Sequence, residues 1–415
     1  MKLKTLFRTS LVLLMSFAFV LTADVALAQK AKKKEEDPAT EIGAQTGKIL
    51  QKASELINAN QMAQARAALA DLKLDKLSPH ERAIVEQMNV QMDVSEEKFP
   101  SARQHMQAAI DSGGLNDKEI ADGRYFIAQT FVQEEKWAEG AKGIEEWLKT
   151  AAKPNGNVYY LLAVCYYQLE KLDQAIPNAK KAVDMMEKMQ EGWLQLYGSL
   201  LINKERYKDA LPVIERLVNA FPQKKQYWMQ LSSIYGQTED LKNALVSMQL
   251  ANDLNLLTEG AEYQRMADLM MAQDMPYNAA TVVSKAIDDK KINPDTKTWQ
   301  FLGNAYVAAR EYKKALPFLE RAAQGAENGN EFVRLGQVNM QLNQWDAAVS
   351  ALEKALNKGG LRDAGEVQLD IGISLFSAKK LPEAKSWLEK IPANSNQAKT
   401  AKGFLQVINA NLKTR

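Results

Sequence analysis

The chain has 415 residues, 46% apolar and 25% charged, and its 53 lysines and arginines against 51 aspartates and glutamates give a formal charge of +2. That apolar share excludes a disordered chain, and the near-neutral balance excludes a surface built to neutralise phosphates, so nucleic acid is not an expected partner. Cys165 is the only cysteine, so no intramolecular disulfide can form and packing must hold the fold.

Lys2, Lys4 and Arg8 precede an apolar run from Leu11 to Leu21, and Ala26-Leu27-Ala28 places small residues before Gln29. This pattern predicts a cleaved secretory signal over 1–28. The alternative, an uncleaved anchor, needs about 20 apolar residues, more than the run supplies. Lys2, Lys4, Arg8 and Asp24 together carry the +2, so the mature chain is expected to be near neutral. No cysteine beside Ala28 offers a site for lipid, and nothing later approaches a membrane span, so no stable membrane insertion is expected after signal removal. Residues 29–40, with Lys30, Lys32, Lys33, Lys34, Glu35, Glu36, Asp37 and Pro38, read as a charged flexible linker; the alternative is a weak hook for anionic lipid or an acidic partner.

From residue 41 onward the dominant signal is internal repetition. Trp299, Leu302, Gly303 and Tyr306 fall on one face of a helix at three- and four-residue steps, a polar gap follows at Arg310-Glu311, and Ala315, Leu319 and Ala322 fall on one face of a second helix. A small residue early in each second helix recurs at Ala65, Ala102, Gly140, Ala175, Ala210, Ala244, Ala279, Ala315, Ala348 and Ala384, at separations of 33 to 38 residues. Twelve residues before each stand Ala53, Val90, Ala128, Ala163, Gly198, Ser232, Ala267, Gly303, Gly336 and Gly372. All but Val90 are small, as needed where two helices cross at close range. Larger residues such as Leu162, Tyr166, Leu302 and Tyr306 are expected to fill the space between repeats as core.

The pattern resembles the tetratricopeptide (TPR) consensus, whose unit is a helix pair of about 34 residues. The resemblance implies an all-α fold, a right-handed α-solenoid of about ten TPR helix-turn-helix repeats with a C-terminal capping helix. Residues 41–150 form degenerate TPR-like repeats, with Val90 and Asp93 where a small residue and an aromatic are expected, and 151–394 form a consensus-like array. Within the array Trp193 arrives one residue early and Asn339 replaces the usual tyrosine, while Pro222 and Pro392 follow second helices as stops. Residues 395–415 hold the capping helix, Ala398 to Leu412.

The compact catalytic patterns are missing: no phosphate loop ending in Gly-Lys-Ser/Thr, no HExxH, no GxSxG and no GxGxxG after a strand. His80 and His105 are isolated, and Cys165 lies in an apolar helix, so neither a zinc site nor a His-activated nucleophile is expected. Paired carboxylates stay open on composition alone, and an enzyme acting on glycan strands is the corresponding alternative. An open repeat groove, however, does not exclude water, so the expectation is no enzyme and no cofactor. Met185, Met186 and Met189, and Met266, Met270, Met271 and Met275, have the spacing of a helical core face; the alternative is a soft-metal site.

In TPR proteins the first helices line the binding surface. Carried onto this chain, that implies a partner-binding groove of Tyr160, Val164, Tyr167, Gln195, Ser199, Met229, Ser233, Gln264, Asp268, Gln300, Asn304, Val333 and Gln337. This amide-rich set lacks the lysines and arginines that clamp a terminal carboxylate, and suits an extended peptide or a partner helix. The leader AQKAKKKEEDP and the layout of the whole chain resemble the periplasmic TPR proteins associated with TonB energy-transduction systems of gamma-proteobacteria. That resemblance implies a periplasmic scaffold whose partners are TonB-system components of a TonB-dependent transport system. The competing non-enzymatic reading is an envelope-assembly factor that coordinates cell-wall synthesis or outer-membrane construction.

Overall fold

The computed structural model describes residues 41–151 and 153–413. The signal peptide expected over 1–28 and the linker over 29–40 lie outside the described residues. Within them are 21 α-helices and no strand.

The helices come as ten hairpins and a final single helix. The first three hairpins are α1 (Ala44–Asn58) with α2 (Met62–Ala70), α3 (Pro79–Ser95) with α4 (Phe99–Asp111), and α5 (Asp117–Gln133) with α6 (Trp137–Thr150). The next are α7 (Gly156–Gln168) with α8 (Leu172–Asp184), α9 (Glu191–Asn203) with α10 (Tyr207–Ala220), and α11 (Lys225–Gln237) with α12 (Leu241–Asp253). The last four are α13 (Gly260–Ala272) with α14 (Pro276–Asp288), α15 (Thr296–Ala308) with α16 (Tyr312–Gly325), α17 (Asn330–Gln341) with α18 (Trp345–Lys358), and α19 (Ala364–Ser377) with α20 (Leu381–Leu388). Helix α21 (Ala398–Lys413) closes the series.

The small residues predicted from spacing stand at the fourth position of all ten second helices, from Ala65 to Ala384. All ten are buried, as are their ten partners on the first helices. The physical reason is clearest at three of the four crossings where the first helix carries glycine. A Cβ on Gly303, Gly336 or Gly372 would lie 2.6, 2.6 and 2.5 Å from side-chain carbons of Leu319, Leu352 and Leu388, respectively. Each leucine nests against bare backbone, and any side chain there would push the helix axes apart.

Each hairpin turn uses one device that the sequence pattern does not display. The residue five before every small marker, Asn60, Glu97, Glu135, Glu170, Glu205, Glu239, Asp274, Arg310, Asn343 and Lys379, is left-handed, with φ between 56° and 62°. The next residue's N–H donates to the carbonyl five residues back, as in Gln61 to Leu56 (2.8 Å), Lys171 to Tyr166 (2.8 Å) and Lys380 to Leu375 (2.9 Å). This is the Schellman closure of a helix C-terminus, which caps carbonyls that the helix leaves unpaired.

The described chain divides into two compact units, one ending at Val213 and the other starting at Ile214. The division falls inside α10, whereas the sequence-based boundary at 150/151 was drawn on closeness to consensus. In the first unit the departures from consensus are explained by side-chain contacts. Asp93, which replaces an aromatic, is buried and receives Arg66 Nη2 from α2 at 2.7 Å. Arg103 stands in Arg66's place one repeat later and reaches Thr130 on α5 (3.3 Å) and Glu134 just past its end. Trp193, one residue early, stacks on Tyr160 of the preceding hairpin with centroids 5.6 Å apart.

In the second unit Asn339, in place of tyrosine, is buried and returns its amide to Leu335 O at 2.9 Å. The capping helix is amphipathic as expected: Ala401 and Ile408 are buried with Ile371, Leu375 and Leu388, and Phe404 meets Phe376 edge-on at 5.3 Å. Among the described residues no helix is long and apolar enough to cross a membrane.

Two expectations about sulfur divide. Cys165 is fully buried and desolvation pushes its thiol up to about 12, so it is an inert core group. Met266 and Met270 are core, but Met185 and Met189 are 44% and 48% exposed. That correction has a simple cause: α8 ends at Asp184, so these two methionines sit in a connecting loop and the helical period no longer applies to them.

Candidate functional site

Within each unit, first helices of successive hairpins contact each other as well as their own second helices, as α7 does α9 and α17 does α19. The face they share is where the expected groove residues should appear.

In the first unit some of these residues are accessible and others are buried. Tyr160 and Val164 are corrections: they are 6% and 1% exposed, because α7 is apolar all round and is covered by α6, α8 and α9. Burial alone pushes the Tyr160 phenol up to about 12. Tyr167, Gln195 and Ser199 are half-buried, and Gln195 Nε2 donates to Glu191 one turn earlier at 3.3 Å.

In the second unit the predicted residues stay accessible. Met229 and Ser233 are half-buried on α11, and on α13 the Gln264 amide donates to Asp268 at 2.9 Å. Further along, the polar groups link neighbouring repeats. Gln300 Nε2 of α15 donates to Glu331 Oε1 of α17 at 3.2 Å, and Gln337 Nε2 of α17 donates to Asp370 Oδ2 of α19 at 3.3 Å. Asn304 Oδ1 is buried with no hydrogen-bond partner.

These rungs border a cavity of about 760 Å³ between α15, α17 and α19, with Val333 and Gln337 among its walls. Its charged lining is Glu331, Asp363, Glu366 and Asp370 against Arg334 and Arg362. Just before Leu361 and Arg362 of the lining, Gly359 and Gly360 both have positive φ (73° and 65°). Gly329 N donates to Gly359 O at 2.8 Å, and the Asn330 amide donates to Gly360 O at 3.2 Å.

The electrostatics of the four carboxylates differ. Asp363 caps α19 and sits below the usual carboxylate range, chiefly because it accepts the Glu366 N–H at 3.0 Å. Asp370 moves the other way: desolvation raises it, only partly offset by Gln337, and the Glu366 charge adds to the rise. Glu331 Oε2 and Arg334 Nε are both buried without a hydrogen-bond partner. Arg334 and Arg362 line this cavity beside the predicted set, which itself holds no lysine or arginine. Arg334 and Asp370 occupy the same register position in consecutive repeats, one residue beyond the register that predicted Val333, and that offset is the signal by which they could have been found.

Residues 298–331 and 333–399 match two tetratricopeptide-repeat family models, and residues 75–291, just over half of the chain, match the model described as ChAPs (Chs5p-Arf1p-binding proteins). The chain is a TPR protein, and over 75–291 it belongs to the ChAPs family. A curated relative, the BBSome complex member BBS4 homolog of Drosophila melanogaster, is 20% identical over 233 residues, 56% of this chain. The TPR chain spans less than half (46%) of that relative's length. Among solved structures it is similar to a tetratricopeptide repeat protein from Parabacteroides merdae, at 14% identity and TM-score 0.36, covering 63% of this chain and 99% of that one. It is also similar to the C-terminal part of a TPR repeat-containing protein from Cytophaga hutchinsonii, at 15% identity and TM-score 0.38, covering 64% and 99%. None of these descriptions names a catalytic activity, and a TPR array of this kind is a protein-interaction scaffold.

Proposed function

We propose that this TPR protein is an exported scaffold that works in the periplasm as an accessory component of a TonB-dependent transport system. The observation that carries the interaction role is the accessible first-helix face of the second unit, where amide rungs and a walled cavity offer donors and acceptors to a polypeptide. Export is supported by the basic, apolar and small-residue segments of 1–28. The TonB assignment is supported by the lysine-rich leader and the layout that resembles such proteins. The descriptions of the relatives, a complex member and a set of binding proteins, agree with a scaffold.

In-cell crosslinking from the full-length protein, followed by identification of captured chains, tests the reading. Enrichment of TonB-type components from a periplasmic fraction, with a mature N-terminus at Gln29, is the expected result. Enrichment of wall synthases instead would move the protein to envelope assembly, and an unprocessed cytoplasmic chain would overturn the export step.

A further inference from the structure

We propose that the cavity between α15, α17 and α19 seats a basic side chain, a lysine or arginine carried on an extended segment of the partner protein. This rests on the scaffold reading and adds the chemistry of its ligand.

Three independent features point the same way. The cavity, about 760 Å³, has the size of a specific ligand pocket. Its lining holds four carboxylates and two guanidinium groups, an excess of two negative charges. The third feature is how those carboxylates are satisfied. Glu331 and Asp370 each accept a single long bond from a neutral amide, at 3.2 and 3.3 Å, and Glu331 Oε2 accepts none.

A comparison inside the same unit shows what is missing. Glu262 holds the same register position in α13 as Glu331 does in α17. There Lys225 Nζ of α11 lies 2.7 Å from Glu262 Oε1. There the chain supplies its own cation; Glu331 has only the Gln300 amide in that place, so a charge-assisted partner for it can come from outside. An arriving ammonium or guanidinium would offset, by its opposite charge, the desolvation that raises Asp370.

The test is fluorescence anisotropy of the full chain with a labelled Gly-Ser peptide bearing alternate lysines, beside the same peptide bearing alternate glutamates. The lysine peptide should bind and weaken with salt; Asp370→Asn should weaken it about tenfold, and Asp370→Asn with Glu331→Gln further. Both substitutions are near-isosteric, and unchanged melting curves establish that the fold survives. Equal binding of the two peptides, no binding of the lysine peptide, or no response to Asp370→Asn would each overturn the proposal. Photo-crosslinkers at Val333 and at Gln264 separate this from the scaffold reading. Partners captured from Gln264 alone leave the scaffold standing and remove the basic seat, whereas capture from neither removes both.

Discussion

Gly336 and Leu352 meet where α17 crosses α18: a Cβ on the glycine would lie 2.6 Å from the leucine's Cγ, and Leu352 is fully buried with no room to retreat. Gly336→Ala gains about 1 kcal/mol of helix propensity but incurs overpacking of about 1–3 kcal/mol. The net expectation is destabilisation of about 1 kcal/mol. Gly236, in α11 of the same unit, has nothing within 4 Å of its added Cβ. Gly236→Ala should therefore stabilise by about 0.5 kcal/mol, since it sits near a helix end. Urea melts of the two variants with opposite signs are the expected outcome; a gain at Gly336 would remove the close-crossing argument.

Arg66 offers a different test, because its partner Asp93 has a side chain only 2% exposed. Removing one member of a buried pair leaves the other charge uncompensated, at about 3–5 kcal/mol when both are buried. Arg66 is itself a third exposed, and His105 Nε2 lies 3.8 Å from Asp93, so Arg66→Ala should cost about 2 kcal/mol. Adding Asp93→Asn in that background should recover about 1 kcal/mol by removing the stranded charge. A double-mutant cycle on denaturant midpoints measures both, and strict additivity would show that the pair is not coupled.

Which features were legible in the sequence follows from whether their physical demand is imposed by residue type. Close helix crossings require smallness in every copy, so Ala65 through Ala384 announce the ten hairpins. The left-handed turn residues do not announce themselves, because Glu170 or Lys379 is ordinary in composition and only its register marks it. Tyr160 and Val164 were misplaced because α7 has no polar face to say which side meets solvent. Of the cavity's lining, Val333 and Gln337 lie on the expected register, whereas Arg334 and Asp370 stand one residue off it, where side-chain reach decides what enters. The division inside α10 coincides with no break in the repeat pattern of the sequence.

The left-handed residues give the third prediction. Glu170 holds φ 59°, a conformation that costs an L-residue about 1–2 kcal/mol and glycine little. Glycine loses about 0.5–1 kcal/mol more chain entropy on folding, so Glu170→Gly should stabilise by about 0.5 kcal/mol. Glu170→Val should destabilise, because a β-branched side chain fits this region poorly. Thermal melts that rank Gly above Glu above Val are expected; Val equal to Glu would show that the turn does not hold the left-handed form in solution.

Alkaline pH is the remaining lever, and its sign follows from phenols that the fold desolvates. Tyr125 and Tyr160 are pushed up to about 12 by desolvation, and Tyr235 to about 12 by desolvation together with donation to Glu215 at 2.7 Å. In the unfolded chain these groups ionise near about 10. A folded value above the unfolded one means the stabilisation is complete below about pH 10 and is lost as pH rises toward about 12. Cys165, also at about 12 in the fold, adds to this from about 8.5 upward, where a free thiol begins to ionise. Urea midpoints should therefore hold steady through neutral pH and fall between about 9 and 12. Tyr160→Phe removes one of the linked ionisations, and the fall should become shallower in that variant; an unchanged slope would show that the Tyr160 phenol is not held neutral by the packing of α7 against Trp193.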